Sequence, residues 1–252
     1  MVDSMSDPDC RQGLAKPGIF TKTVLTYVET WGKPGEESFG FGLPNRIAYR
    51  IGKRTQGYTD LFPLEWRVRD LASGADAAPG PEPADGLRVV EADRLDPRVD
   101  ALWESMQDRH PIHVVRDAVY LDWRYFRNPD VRYRVFLVER DGRLVGVAVG
   151  AERFIGEPTF AIAEWMLADG EERAGRHLLA ACERAASEGG HTRILGSFLP
   201  RGCEEDRVFE AAGYALEKST WTWVGRIYDP DALDWERLRA GFYLTLGDSD
   251  LV

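Results

Sequence analysis

The sequence predicts a mixed α/β (α+β) protein built from two related halves. Strand-like and helix-like segments alternate along most of the chain. Two β-rich runs flank Asp141-Gly142 as a hairpin. The stretch Gly74 to Gly86 is rich in Pro, Gly and Ala with no apolar period, and it separates two segments that share one order of elements.

In the first half, Val2 to Met5 reads as a short strand, and the loop Asp7 to Gly18 carries Arg11, Gln12, Gly13, Leu14 and Ala15. A helix follows, with Phe20, Val24, Tyr27, Val28 and Trp31 at three- and four-residue spacing, and Gly32-Lys33-Pro34-Gly35 ends it. Phe39 to Leu43 reads as a buried strand. Pro44-Asn45 then opens a second helix reaching about Arg54, and Gly57-Tyr58 leads into another strand.

In the second half, Leu87 to Val90 is a strand, and Pro97 to Gln107 and Ala118 to Phe126 are helices. Tyr133 to Val138 and Leu144 to Val149 form the hairpin, because Asp-Gly suits a two-residue turn with positive φ at both positions. A strand at Phe160 to Leu167 precedes a helix from Glu172 to Ser187. A strand at Arg193 to Phe198, a helix at Glu204 to Ala212, Gly213-Tyr214 and a Trp-rich strand from Thr220 to Ile227 complete the pattern. The interval from Gly18 to Gly57 nearly equals that from Gly175 to Gly213.

Bulk properties exclude several classes. A hydrophobic share of 44% and an aromatic share of 11% are those of a globular chain, not a disordered one. No run of about eighteen apolar residues is present, and the N-terminus lacks a basic region followed by an apolar stretch. The expectation is therefore a soluble, cytoplasmic protein without a membrane partner. A formal net charge of −10 repels phosphate backbones, which argues against nucleic acid. Arg46, Arg50, Lys53 and Arg54 form the one basic cluster, a solvated helix face or else an anion site. Cys10, Cys182 and Cys203 are odd in number and form no CxxC pair. With His110, His113, His177 and His191 they supply no metal-ligand spacing, so no metal is expected.

A glycine-rich turn with Arg and Gln ahead of a helix is how many folds offer backbone N–H groups and a helix N-terminus to a phosphate. The order strand, loop, helix, strand, Asn45, helix, Gly57-Tyr58 resembles the GNAT superfamily of N-acetyltransferases. Arg11-Gln12-Gly13-Leu14-Ala15 partly matches that family's pyrophosphate-binding motif, with the glycine displaced. Phe41 to Tyr49 is similar to its fifth strand and following helix. The resemblance implies two GNAT-like mixed-sheet domains, at 1–73 and 87–252, joined by a linker at 74–86, the first domain incomplete. It also implies acetyl-CoA or another acyl-CoA held by Arg11, Gln12, Gly13, Leu14, Ala15, Gly18, Ile19 and Asn45, and acyl transfer to a small-molecule or peptide amine. The alternative is a non-catalytic GNAT-like binding module.

Departures from the family pattern carry as much weight. Residues 1 to 5 leave no room for the family's opening strand, two helices and hairpin. Either the native chain starts upstream or the first half borrows the second half's sheet, and a shortened chain is expected, with self-association through unpaired strand edges. In the second half the loop position reads Asp169-Gly170-Glu171-Glu172, whose carboxylates repel a pyrophosphate. The family's tyrosine acid falls on Gly52 or Lys53 in one half and on Phe209 in the other, leaving the catalytic residues unassigned; Tyr49 lies one turn away. Four charged residues are further candidates for a substrate cleft: Glu164 in an otherwise apolar strand, Arg116, and Asp248 and Asp250 at the C-terminal end.

Overall fold

The computed structural model describes residues 18–71, 86–152, 154 and 158–252. Two compact units emerge. One contains residues up to Leu64 together with Ser219–Ala240, and the other contains Glu65–Lys218 with Gly241–Val252. These bounds differ from the halves read in sequence because two long strands contribute to both units.

The first unit begins with α1 (Ile19–Trp31), whose buried Val24 and Val28 lie one turn apart. Trp31, expected on the same apolar stripe, is about half exposed, at 49%. Gly32 ends the helix with its N–H on the Val28 carbonyl, and a Cβ there would stand 2.9 Å from the Tyr228 ring. The strand β1 (Phe39–Gly42) was expected to be buried but is half exposed, with Phe41 facing outward. Helix α2 (Arg46–Thr55) follows, and then β2 (Thr59–Asp70). The sheet order in this unit is β1, β9 (Ala215–Ile227), β2. Antiparallel pairing of β1 with β9 runs from Phe39↔Ile227 to Gly42↔Val224. The strand beside β1 therefore comes from the far end of the sequence, a non-local pairing that local patterns do not encode.

The second unit is a mixed sheet in the order β2, β7 (Arg193–Gly196), β6 (Thr159–Leu167), β5 (Arg143–Ala151), β4 (Tyr133–Arg140), β3 (Leu87–Ala92). Its edge strand β3 (Leu87–Ala92) pairs with β4 (Tyr133–Arg140), which turns through Asp141-Gly142 into β5 (Arg143–Ala151). Both turn residues have positive φ, 50° and 81°, as the Asp-Gly pair predicts. Strand β6 (Thr159–Leu167) is buried along its whole length, antiparallel to β5 and parallel to β7 (Arg193–Gly196). The far end of β2 pairs with β7 from Arg67↔Gly196 to Asp70↔Arg193. Helix α5 (Glu172–Glu188) covers the sheet through Ala174, Leu178, Leu179, Cys182 and Ala186, a three- and four-residue repeat that makes one apolar face.

The remaining helices are α3 (Val99–Met106), α4 (Ala118–Leu121) continuing as one π turn (Asp122–Phe126), α6 (Glu204–Ala211) and α7 (Trp235–Gly241). Two short strands, β8 (Phe198–Leu199) and β10 (Leu244–Thr245), form a separate ladder. Among the described residues, no helix is long and apolar enough to cross a membrane.

Candidate active site

Strands β6 and β7 pair in parallel only from Thr159↔Arg193 to Ile162↔Gly196. Beyond that point Val149 faces Glu164 while Gly150 faces Ile162, so Ala163 is an extra residue that bulges β6. A bulge bends its strand and re-aims side chains. An opening at the carboxyl end of parallel strands is where α/β sheets hold ligands.

In the second unit that opening holds the chain's own C-terminal segment. Strand β10 pairs with β8, Leu244↔Leu199 and Thr245↔Phe198, and the 3₁₀ turn Leu246–Asp248 follows. Gly247 packs so closely on β6 that a Cβ would stand 2.9 Å from the Ala163 carbonyl oxygen and 2.1 Å from the Tyr125 hydroxyl. The Asp248 carboxylate closes the turn by accepting the Thr245 N–H at 2.8 Å.

The sequence candidates Glu164, Arg116 and Asp248 meet here. Arg116, fully buried, lies 3.0 Å from the Glu164 carboxylate through Nε and 2.8 Å from Asp248 through Nη2. Its Nη1 donates to the Val114 carbonyl oxygen at 2.7 Å, and its guanidinium lies 4.9 Å from the Tyr243 ring centre. Glu164 also accepts the Trp165 N–H at 3.1 Å. Burial raises the Glu164 carboxyl above its ordinary pKa; Asp248 adds to that rise and Arg116 opposes it. One guanidinium thus serves two carboxylates. Asp250 stays at the surface, outside this cluster. Arg124 fastens the segment further, donating to the Ser249 and Val252 carbonyl oxygens at 3.1 and 2.9 Å.

The loop before α5 is acidic as expected, and arginines answer its charges. Arg109 pairs with Asp169, and Arg140 holds Glu171 at 2.8 Å. Carboxylates thus stand at the start of α5, with none capping it, where a helix N-terminus would otherwise attract an anion. Phe209, at the family's tyrosine position, is fully buried among the rings of Trp165, Phe198 and Tyr214.

A second buried cluster went unread in the sequence. Arg109 reaches Glu205 at 2.9 Å and His110 Nε2 lies 3.2 Å from the same carboxylate, while the His110 ring stacks on Tyr243 at 4.1 Å. Burial alone would raise the Glu205 carboxyl, but His110 and Arg109 outweigh it and hold it down at about 2. His110 and His113 offer only the absence of metal-ligand spacing in the sequence. The former is largely buried, and no signal short of its contact with the distant Glu205 identifies it. Among the described residues no group of three or more His, Cys, Asp or Glu could hold a metal ion.

In the first unit, Arg11, Gln12, Gly13, Leu14 and Ala15 lie outside the described residues, as does the Val2 to Met5 strand. Gly18 is extended and opens α1 without a side-chain cap, and no acidic residue stands in the first turn. Asn45 caps α2, its side-chain oxygen accepting the Ile47 and Ala48 N–H groups, each at 3.0 Å. Ile19, Phe41 and Ile47, at the helix starts and on β1, remain exposed. Gly52 admits no larger residue, since a Cβ there would stand 2.1 Å from the Tyr58 ring. The Tyr49 hydroxyl donates to Asp60 at 3.0 Å, which raises its pKa and keeps it a phenol.

This architecture matches solved structures. A conserved protein of unknown function from Enterococcus faecalis V583, described as a probable N-acyltransferase, aligns with a TM-score of 0.58 at 13% identity, over 89% of this chain and 52% of the other. A GCN5-related N-acetyltransferase from Anabaena variabilis ATCC 29413 gives 0.53 at 13% identity, over 88% and 52%. A tandem GNAT protein from the clavulanic acid biosynthesis pathway gives 0.53 at 14% identity, over 87% and 73%. The chain spans about half the length of the first two. No protein-family model matches it, and neither does any curated protein. The fold is GNAT-like, that of the GNAT N-acetyltransferases.

Proposed function

We propose that this chain is a cytoplasmic acyl-CoA-dependent N-acyltransferase whose donor is held by the first unit. The donor, acetyl-CoA or another acyl-CoA, would lie on Arg11, Gln12, Gly13, Leu14, Ala15, Gly18, Ile19 and Asn45. The acceptor is a small-molecule or peptide amine. The observation that carries this reading is a contrast between two helix starts. Glu171 and Glu172 stand at the start of α5, whereas α1 begins at Gly18 with no carboxylate in its first turn; neither helix start has a side-chain cap. The positive end of α1 thus keeps its attraction for a pyrophosphate, and exposed Ile19 and Phe41 offer apolar contact to the rest of the donor.

The donor supplies an acyl group activated as a thioester, so that C–N bond formation by the amine breaks the C–S bond. In this chain the Asn45 oxygen, already shared between two N–H groups, orients the start of α2 and does not act as a base. Neither family tyrosine position carries a hydroxyl, so protonation of the departing thiolate falls to water. That missing acid also favours a second reading, a GNAT-like module that binds without turnover.

Thermal melting with acetyl-CoA, and with free CoA as control, tests the donor site. A ligand bound only by the folded state adds about 2.7 kcal/mol at a hundredfold excess over Kd. An upward shift that Arg11→Glu abolishes supports the site; no shift at millimolar acetyl-CoA overturns it. Thiol release with a panel of amines then separates turnover from binding alone.

A further inference from the structure

Helix α2 of the first unit has two chemically distinct faces. Gly52 and Gln56 are buried on one, and Tyr49 is tied there to Asp60. The opposite face carries Arg46, Arg50 and Arg54 in steps of four, with Lys53 on one margin and Ile47 on the other. At about 100° per residue these five fall within an arc of about 120°. All four cations are exposed, and Ile47 is 73% exposed. Lys53 is balanced by Asp60 at 3.2 Å, but no described residue pairs with Arg46, Arg50 or Arg54.

That row stands out in a chain where Asp and Glu outnumber Lys and Arg 42 to 32. Elsewhere Arg67, Arg109, Arg134 and Arg140 each hold a carboxylate. We propose that this face of α2 docks an acidic helix of a partner protein. Guanidinium groups bind carboxylates in paired, planar geometry. The row extends about 12 Å, which matches carboxylates four residues apart on a helix of two to three turns. Ile47 gives the partner one apolar contact beside the charges, the usual mixture at a protein interface. A net charge of −10 sets the remaining surface against any long polyanion, which favours a short acidic element over an RNA or an anionic bilayer.

The docking proposal is independent of acyl transfer. The probe is a labelled helical peptide of about four turns with Glu at every fourth position and one Leu beside them, compared by anisotropy with its Gln counterpart. The wild-type chain is expected to bind the Glu peptide at least about tenfold more tightly, and to lose most of that preference between about 0.05 and 0.3 M salt. The variant Arg46→Gln/Arg50→Gln/Arg54→Gln loses the preference while melting within about two degrees of wild type, since its side chains are exposed and unpaired. Ile47→Ser weakens both peptides without changing the salt dependence. If the triple variant folds poorly, Arg50→Gln alone shows the same loss at smaller size. Equal binding of the two peptides, or a preference that survives in the variants, overturns the proposal. Tighter binding to tRNA or to phosphatidylglycerol vesicles overturns it in favour of those ligands. Loss of the acetyl-CoA melting shift in the triple variant assigns the row to the donor instead.

Discussion

Adding one carbon at Gly247 tests whether the C-terminal segment is seated in the opening beside β6. The new Cβ would fall 2.9 Å from the Ala163 carbonyl oxygen and 2.1 Å from the Tyr125 hydroxyl. The carbonyl belongs to a buried strand and cannot swing aside. The tyrosine is held by Tyr133, edge-on at 5.0 Å, and by Tyr120 at 6.4 Å. Overpacking of a fixed site costs about 1–3 kcal/mol, and the backbone contact places Gly247→Ala near the middle, about 2 kcal/mol. For a chain of this size that lowers Tm by about 4–8 °C. Tyr125→Phe removes the nearer clash and gives up only a long hydrogen bond to Glu164, 3.4 Å, a cost of about 1 kcal/mol or less. The double variant is therefore expected to lose less than the sum of the singles, with a coupling of about 1 kcal/mol. Urea melts of the four proteins measure the cycle. A Gly247→Ala protein as stable as wild type, or strictly additive losses, refutes the seating.

Two further substitutions probe the buried charges. Arg116→Met leaves Glu164 and Asp248 buried without their cation and is expected to cost about 3–5 kcal/mol, partly recovered by Glu164→Gln; a loss below about 1 kcal/mol in urea melts contradicts the shared-guanidinium arrangement. Glu205 has a folded pKa of about 2, below its unfolded value, so its ionised form stabilises the fold above about pH 4.5, and that contribution is lost as pH falls from there towards 2. The shift corresponds to about 3 kcal/mol. Glu205→Gln is expected to flatten the acid limb of stability against pH, and an unchanged slope tells against the His110–Glu205 contact.

Local order was legible wherever chemistry within a few residues decides it. The Asp141-Gly142 hairpin follows from two positions that need positive φ, and α5 from an apolar face repeating at helical spacing. The opening of α2 followed from Asn45, although the structure gives that side chain a capping role beside the cofactor role its resemblance implies. What stayed hidden depends on distant partners. Arginine is seldom buried without a mate, so the burial of Arg116 follows only from Glu164 and Asp248, each set beside it by a different stretch of chain. Likewise Leu244–Thr245 has no strand signal of its own and becomes one through β8. The exchange of strand ends follows the same logic. The late residues of β9 pair with β1, and the late residues of β2 pair with β7, so neither unit is contiguous in sequence.

The parting of β6 and β7 bears directly on where a donor can bind. Two parallel strands that separate at a bulge leave apolar surface and backbone polar groups without partners, and some ligand or chain segment must supply them. In the second unit β10 and the turn after it do so, and the Arg116 guanidinium offsets much of the desolvation of Glu164 and Asp248. A ligand entering that opening would have to break the β8–β10 ladder, strip Asp248 from Arg116 and lift Gly247 off Ala163. It would also meet Glu171 and Glu172 at the helix start, where its own negative charge belongs. Each of these contacts would be lost before any new one formed, so the free energy of opening the segment would subtract directly from donor affinity. Among the described residues of the first unit, no acidic residue stands in the first turn of α1. If the donor is held by the first unit as proposed, Asp248→Asn leaves the acetyl-CoA melting shift in place whereas Arg11→Glu abolishes it; a shift lost with Asp248→Asn alone refutes that placement.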